Sequence, residues 1–150
     1  MTPFVVDASV AIKWVVEEAG TDKALALRQN TRLMAPELML AECANILWKK
    51  VRRAELTASE GRFAAMLIES TGMEFVEMRS LVVEAAELAF SLDHPAYDCM
   101  YLALARQDKC QLITADDRLV RKLRQNADVD LRNIAVLLEE WTTPPPLEHP

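Results

Sequence analysis

The stretch "FVVDASVAIKW", residues 4–14, decides the fold. Its apolar start predicts a strand that enters a protein core, and the spacing after Asp7 predicts a helix from about Ser9 to Glu17. The segment "CQLITADDRLVRKLR", residues 110–124, repeats this design around Asp116 and Asp117. In an open parallel sheet ligands bind beyond the carboxyl ends of the strands, so acids that end two strands would share one rim. The alternative is that each Asp only caps the helix that follows it.

The rest of the chain continues the alternation of strands and helices. Strand-like segments are expected at residues 4–7, 33–35, 73–78, 112–114 and 133–137, with helical patterns between them. This order predicts an α/β domain with a central, mostly parallel sheet of four to five strands flanked by helices. We expect the domain to cover residues 1–141 and the proline-rich tail, residues 142–150, to be extended or disordered.

Length and composition narrow the function. The chain has 150 residues, enough for one domain. Its formal net charge of −6 argues against a protein that wraps nucleic acid around itself, because such proteins usually present a basic surface. It has neither a GxGxxG nor a Walker-type glycine loop, and no apolar run long enough to span a bilayer. Three cysteines without metal-ligand spacing, and no secretory leader pattern, predict a soluble cytoplasmic protein with free thiols.

Two further acids stand out. Glu42 lies in the helical segment "PELMLAECANILWKKVRR" with Leu38 four residues before it and Ile46 four residues after it, which places it on or beside the inward stripe unless the helix is rotated outward. Asp98 begins the otherwise apolar helix in "HPAYDCMYLALA". An acid in a first helical turn is also explained by helix electrostatics alone.

If the acids meet, their repulsion has to be offset. At separations of ~4–6 Å and an effective dielectric near 20, each close pair repels by roughly 3–4 kcal/mol. A divalent cation would offset this repulsion, and ligation by oxygen alone favours Mg²⁺ or Mn²⁺ over zinc. We interpret His94, just before Pro95, as a helix-start or surface residue and not as a ligand. The commonest use of such a pocket is phosphoryl or phosphodiester chemistry.

At these residues the chain resembles the PIN-domain ribonucleases, especially the VapC-type toxins of bacterial toxin–antitoxin pairs. The matching segments are "VVDASV", "PELMLAECANIL", "HPAYDCMYLALA" and "LITADDRL", in order from about Phe4 to Leu138. The resemblance implies a Rossmann-like domain and Mg²⁺- or Mn²⁺-dependent cleavage of RNA.

Carried over by position, the four acids of the family fall on Asp7, Glu42, Asp98 and Asp116. Asp7, Asp98 and Asp116 would hold the metal, and Glu42 would bind a second ion or orient and deprotonate the attacking water. Whether Asp116 or Asp117 is the fourth acid stays open, although Asp116 completes the T-x-D pattern. Candidates for contacts just outside the metal's own ligands are Asp117, Ser9, Thr114 and Asn45, and the two hydroxyl side chains are equally explained as turn caps.

RNA still has to approach a negatively charged protein. Two basic helical stretches supply candidate phosphate contacts, which are Lys49, Lys50, Arg52, Arg53, Arg118 and Arg121. A solvated helix face is the alternative for each stretch. The resemblance also implies a homodimer inhibited by a VapB-type antitoxin, in a heterotetramer or a larger complex. The rival functions are an inactive PIN-fold binding module and a receiver-like phosphoacceptor domain.

Overall fold

The computed structural model describes residues 2–29 and 31–143. Five strands form one sheet: β1 (Thr2–Val6), β2 (Thr31–Pro36), β3 (Glu74–Val76), β4 (Gln111–Thr114) and β5 (Ala135–Leu137). The α-helices are α1 (Ala8–Ala11), α2 (Thr21–Leu27), α3 (Leu38–Arg52), α4 (Ala58–Glu69), α5 (Val82–Leu92), α6 (Ala96–Gln107), α7 (Asp117–Arg124) and α8 (Val129–Arg132). Short 3₁₀ turns cover Ile12–Trp14, Met78–Leu81 and Leu138–Glu140. This confirms the predicted α/β class with a parallel sheet flanked by helices.

The strand order is β3-β2-β1-β4-β5, and every neighbouring pair is parallel. The chain first builds outward from β1 to β3 and then starts again on the other side of β1 with β4. The topological switch point therefore lies between β1 and β4, where an open α/β sheet forms its ligand crevice. A receiver-type domain has the order 2-1-3-4-5, so the predicted alternative of a receiver-like domain is wrong.

Burial on both faces explains why the sequences of the central strands are apolar runs. Val5 and Val6 in β1 and Leu112 and Ile113 in β4 are fully buried, as expected for parallel strands covered on both faces. Helix α6 packs across β2, β1 and β4 with an almost wholly buried stretch, Tyr101–Ala105. This packing holds the acidic start of α6 at the carboxyl edge of the sheet.

The predicted helix from Ser9 to Glu17 is wrong in its length, because α1 ends at Ala11 and a 3₁₀ turn follows. Two side chains of that turn bond to backbone further along the chain. The Trp14 indole N–H donates to the Ala24 carbonyl at 2.8 Å, and Lys13 Nζ donates to the Ala19 carbonyl at 2.7 Å. These tertiary bonds compete with continuation of the helix.

Two further sequence predictions concern the proline-rich tail and helices that could span a membrane. Residues 144–150 of the predicted tail lie outside the described residues, so most of that prediction is not addressed. Across the described residues, none of the helices is both long and apolar enough to cross a membrane.

Candidate active site

A cleft of about 460 Å³ opens at the switch point and brings the four candidate acids together. Its acidic lining residues are Asp7, Glu42, Asp98 and Asp116. The other lining residues include Ser9, Asn45, Lys49, Tyr97 and Tyr101. The convergence expected from the strand–Asp–helix pattern is therefore present in the structure.

Asp7 sits at the base of the cleft because it directly follows β1. Since Val6 pairs with Ile113, the next residues of the two strands, Asp7 and Thr114, lie side by side. The Thr114 hydroxyl donates to Asp7 Oδ2 at 2.5 Å, and the Ser9 hydroxyl donates to Oδ1 at 2.5 Å. The Val10 amide donates to Oδ1 at 3.3 Å, so Asp7 also caps α1. Capping and site formation are thus compatible at this residue.

Burial makes Asp7 a weaker acid. The residue is only 8% exposed, and desolvation raises the pKa of its carboxyl from the ordinary 3.8 to about 6. The hydrogen bonds from Ser9, Thr114 and Val10 oppose this rise in pKa, and the negative charge of Asp98 adds to it. A cation placed against Asp7 would favour the charged form and so oppose this desolvation.

Asp116 and Asp117 separate in space. Asp116 lines the cleft and caps α7, with Oδ1 accepting from the Leu119 amide at 3.2 Å. Its own amide donates to Thr114 Oγ1 at 3.0 Å, which connects it to the Asp7 network. Asp117 points away and pairs with Arg121 at 2.8 Å. Asp116 is therefore the acid of this pair that faces Asp7.

Glu42 is half-buried on α3 and faces the cleft. The Tyr101 hydroxyl donates to Glu42 Oε1 at 2.5 Å. Desolvation raises the pKa of Glu42, the charge of Asp98 raises it further, and the bond from Tyr101 opposes the rise. The sequence prediction that Glu42 lies on or beside the inward stripe agrees with this position next to buried Met39 and Cys43.

Asp98 is held by a histidine. His94 Nε2 lies 2.6 Å from Asp98 Oδ2, one helical turn before it, and the His94 side chain is only 13% exposed. Lys122 Nζ donates to the Asp93 carbonyl at 2.6 Å and lies 3.4 Å from His94 Nδ1. His94 therefore does lie at the helix start, as predicted, but its ring is largely buried against Asp98 and does not lie at the surface.

The donor chemistry of the cleft fits a hard divalent cation. Four carboxylates face a single lysine, Lys49, among the charged lining residues. Each carboxylate is bonded to a neighbour, and among residues 2–29 and 31–143 no three His, Cys, Asp or Glu side chains are already grouped closely enough to hold a metal ion. The cleft thus offers hydrogen-bonded oxygen donors of the kind that Mg²⁺ and Mn²⁺ favour, although within the described part of the chain they do not yet form a compact ligand set.

The six candidate phosphate contacts do not share one surface. Lys49 lines the cleft, and Arg53 lines a groove beside it. Lys50 pairs with Glu18 and Glu55. The remaining three differ in their surroundings: Arg52 stacks on the exposed Trp48, Arg121 pairs with Asp117, and Arg118 is exposed on α7.

Among the polar residues that line the cleft, Tyr97 was not predicted, and neither were two partners of the acids, Tyr101 and His94. Both partners lie at helical spacing from Asp98, because Tyr101 follows it by three residues and His94 precedes it by four. That spacing places all three side chains on one side of α6 and its preceding turn. The tertiary partner of Tyr101, Glu42, is 59 residues away in the chain.

The cysteines beside the acids are unsuited to nucleophilic chemistry. All three cysteines are free, and Cys43 and Cys99 are buried. Burial, with the charges of Glu42 and Asp7, raises the pKa of Cys43 to about 12. Burial, with the charge of Asp98, raises the pKa of Cys99 to about 11. Thiolate catalysis at neutral pH is therefore not supported.

The family model of the PIN domain matches residues 4–124, which include most of β1, the cleft and all of α7. The chain belongs to the PIN-domain family. Within it the chain resembles VapC toxins. It is 32% identical over 124 residues to ribonuclease VapC3 of Pyrobaculum aerophilum, covering 79% of the chain and 92% of that protein. It is 32% identical over 115 residues to VapC ribonuclease Mb0985 of Mycobacterium bovis, covering 77% and 87%.

Solved structures agree with the PIN fold. PAE2754 from Pyrobaculum aerophilum superposes with a TM-score of 0.62 at 24% identity, covering 81% of this chain and 79% of that one. VapBC2 from Rickettsia felis, solved with a DNA fragment from its promoter, gives 0.61 at 12% identity, with coverages of 91% and 98%. The sarcin–ricin loop cleaving toxin VapC20 of Mycobacterium tuberculosis gives 0.61 at 20%, with coverages of 76% and 90%. At these identities the likeness concerns the fold.

Proposed function

We propose that this PIN domain is a Mg²⁺- or Mn²⁺-dependent endoribonuclease toxin of the VapC type. The observation that carries the proposal is the convergence of Asp7, Glu42, Asp98 and Asp116 on one cleft at the switch point of the sheet. The names of its 32%-identical relatives, which are ribonucleases, supply the substrate class.

Asp7, Asp98 and Asp116 would hold the metal, and Glu42 would bind a second ion or act on the attacking water. When bound, the cation would activate water and stabilise the negative charge that develops on the phosphate. The residues of the chain position these groups. Ser9 and Thr114 fix both oxygens of Asp7, and His94 fixes one oxygen of Asp98.

Glu42 has the features of a general base. Its pKa is raised by partial burial, which makes the carboxylate a better proton acceptor near neutral pH. The hydroxyl of Tyr101 bonds to only one of its oxygens, Oε1. The carboxylate therefore stays oriented while its other oxygen is available for a proton.

Regulation by an antitoxin follows from the same charge. A cleft with four acids and one lysine would attract a cationic side chain, and an arginine inserted there would form charge-assisted hydrogen bonds. We include in the proposal a VapB-type antitoxin that inhibits the toxin in this way. The proposal also includes a homodimer that acts on RNA in the cytoplasm and forms a heterotetramer or a larger complex with the antitoxin.

The test is RNA cleavage by the purified chain in EDTA, Mg²⁺ or Mn²⁺, beside the variant Asp7→Asn. We expect cleavage only with a divalent ion, and a loss of about a hundredfold or more in the variant. The matched control is Asp22→Asn, which removes an exposed carboxylate on α2, away from the cleft. Equal cleavage by wild type and Asp7→Asn would show that this cleft is not the active site. Metal binding without any cleavage would instead favour an inactive binding module.

A further inference from the structure

The acidic cleft continues into a groove of opposite charge. This groove, about 310 Å³, lies between the 3₁₀ turn after α1 and the second half of α3. It shares Ser9, Ile46 and Lys49 with the cleft, so the two form one continuous depression. We call it the basic groove.

Four cationic side chains line the basic groove, against one carboxylate, Glu18. Two of them are already engaged, because Lys13 lies 2.9 Å and Lys50 lies 3.1 Å from Glu18. The other two, Lys49 and Arg53, are exposed and form no salt bridge within the part of the chain that the structure describes. These two are the cations that a ligand can reach without breaking an existing ion pair.

A third depression, the end pocket, lies beyond the basic groove and shares Lys13 and Ala115 with it. Its volume is about 380 Å³. Its apolar lining comes from Ala19, Gly20, Leu137 and Leu138, and its charged lining is two lysines and two acids. The charges balance, so the end pocket suits a neutral, partly apolar group better than a phosphate.

Gly20 lines the end pocket without adding a side chain to it. Its backbone has a φ of +89°, a left-handed conformation that glycine adopts without strain. A Cβ on Gly20 would lie 3.5 Å from both Leu138 Cδ2 and Lys13 Cδ, two atoms of the pocket lining. A larger side chain at this position would therefore occupy space inside the pocket.

We propose that one flank of a single-stranded RNA substrate runs from the cleft along the basic groove and places a nucleobase in the end pocket. Phosphates of this flank contact Lys49 and Arg53. The inference rests on the proposed ribonuclease function and adds to it a substrate path and a site that selects a nucleotide away from the scissile bond. Acids at the cleft repel the RNA backbone, so cations immediately beside them are needed to hold the flanking phosphates.

The first test measures the ionic part of RNA binding. Binding is followed by the fluorescence anisotropy of a labelled single-stranded RNA of about 12 nucleotides, the scale of single-strand binding sites. The buffer contains Mg²⁺, and every protein carries Asp7→Asn to prevent cleavage. The slope of log affinity against log salt is negative, and each lost phosphate contact should reduce its steepness by about 0.7. We therefore expect Lys49→Gln/Arg53→Gln to reduce the steepness by about 1.4. The matched pair Arg79→Gln/Arg132→Gln removes two charges that line none of the three depressions and should leave the slope unchanged.

The second test fills the end pocket without changing charge. Ala19→Phe places an aromatic ring from an exposed loop position into the pocket mouth. We expect about tenfold weaker RNA binding, the loss from one well-buried contact, with the salt slope unchanged. Circular dichroism of each variant verifies that it is folded, and Ala19→Ser is the conservative variant that should bind like wild type.

These outcomes separate the substrate path from the function on which it rests. If wild type cleaves RNA but the groove pair has the same salt slope as the control pair, the path is wrong while the proposed function stands. If the variants bind RNA normally but lose affinity for the antitoxin, the surface docks protein and the proposal is again wrong. If wild type cleaves no RNA with either metal, the proposed function itself fails.

Discussion

The Tyr101 hydroxyl donates a hydrogen bond of 2.5 Å to Glu42 Oε1, and this bond connects α6 to α3 across the cleft. It opposes the burial that raises the pKa of Glu42. Tyr101→Phe should therefore raise the pKa of Glu42 further and move the acidic limb of the pH–rate profile to higher pH. The loss in rate at neutral pH should be about tenfold.

The pH–rate profile of Tyr101→Phe is compared with that of Glu42→Gln and of the double variant. If the tyrosine acts through Glu42, the two substitutions will be far from additive, because they remove the same interaction. Additive losses would contradict this role for Tyr101.

The metal-free protein should lose stability as pH rises through the pKa of Asp7. The folded-state pKa, about 6, lies above the ordinary value of 3.8, so the folded protein binds the proton more tightly. The extra free energy of unfolding that this tighter proton binding supplies is present in full below pH 3.8 and is lost as pH rises through 6. Its size is about 3 kcal/mol.

Thermal unfolding in EDTA measures this effect. Asp7→Asn does not titrate, so at pH 7 its melting temperature should exceed that of wild type by roughly 5–10 °C. The difference should shrink as the pH approaches 4, and added Mn²⁺ should stabilise wild type more than the variant. Equal melting temperatures for the two proteins across this range would mean that Asp7 is not destabilised by burial.

His94 should matter for metal affinity although it is not placed as a ligand. Its ring fixes Asp98 Oδ2 at 2.6 Å, and loss of such a supporting contact lowers metal affinity by about tenfold. Calorimetric titration of Mn²⁺ into His94→Ala tests this without an activity assay. The variant His94→Gln, which retains a side-chain donor, should recover part of the affinity. Wild-type affinity in His94→Ala would show that Asp98 needs no such support.

The buried thiols should be inert in the folded protein. With pKa values raised to about 12 and about 11, Cys43 and Cys99 carry almost no thiolate at pH 8. Iodoacetamide followed by mass spectrometry should leave both unmodified in the native state and modify them after unfolding. Rapid native labelling of Cys43 would indicate that α3 opens at the cleft.

The repeated strand–Asp–helix pattern was enough to predict where Asp7 and Asp116 meet, because parallel strands bring their carboxyl ends to one edge. Glu42 could be predicted from helical periodicity within α3. The T-x-D pattern favoured Asp116 over Asp117 but left the choice open, since adjacent residues at a helix start differ mainly in the direction of their side chains. Tertiary bonds decide that direction.

The parts that the sequence did not predict are contacts between distant side chains. The Glu18 carboxylate engages Lys50, which local pattern had grouped with the free basic residues. In the same way, the bonds from Trp14 and Lys13 to later backbone shorten a helix that periodicity alone would extend. Periodicity describes one element at a time, whereas these interactions depend on how elements pack.

The central position of β1 also bears on synthesis of the chain. The strand that carries Asp7 is made before its neighbour on one side, β4, which begins only at Gln111. A nascent chain that ends before Gln111 therefore holds Asp7 without Thr114 and Asp116. The acidic cleft can therefore assemble only after β4 and the start of α7 have been synthesised, long after Asp7 itself.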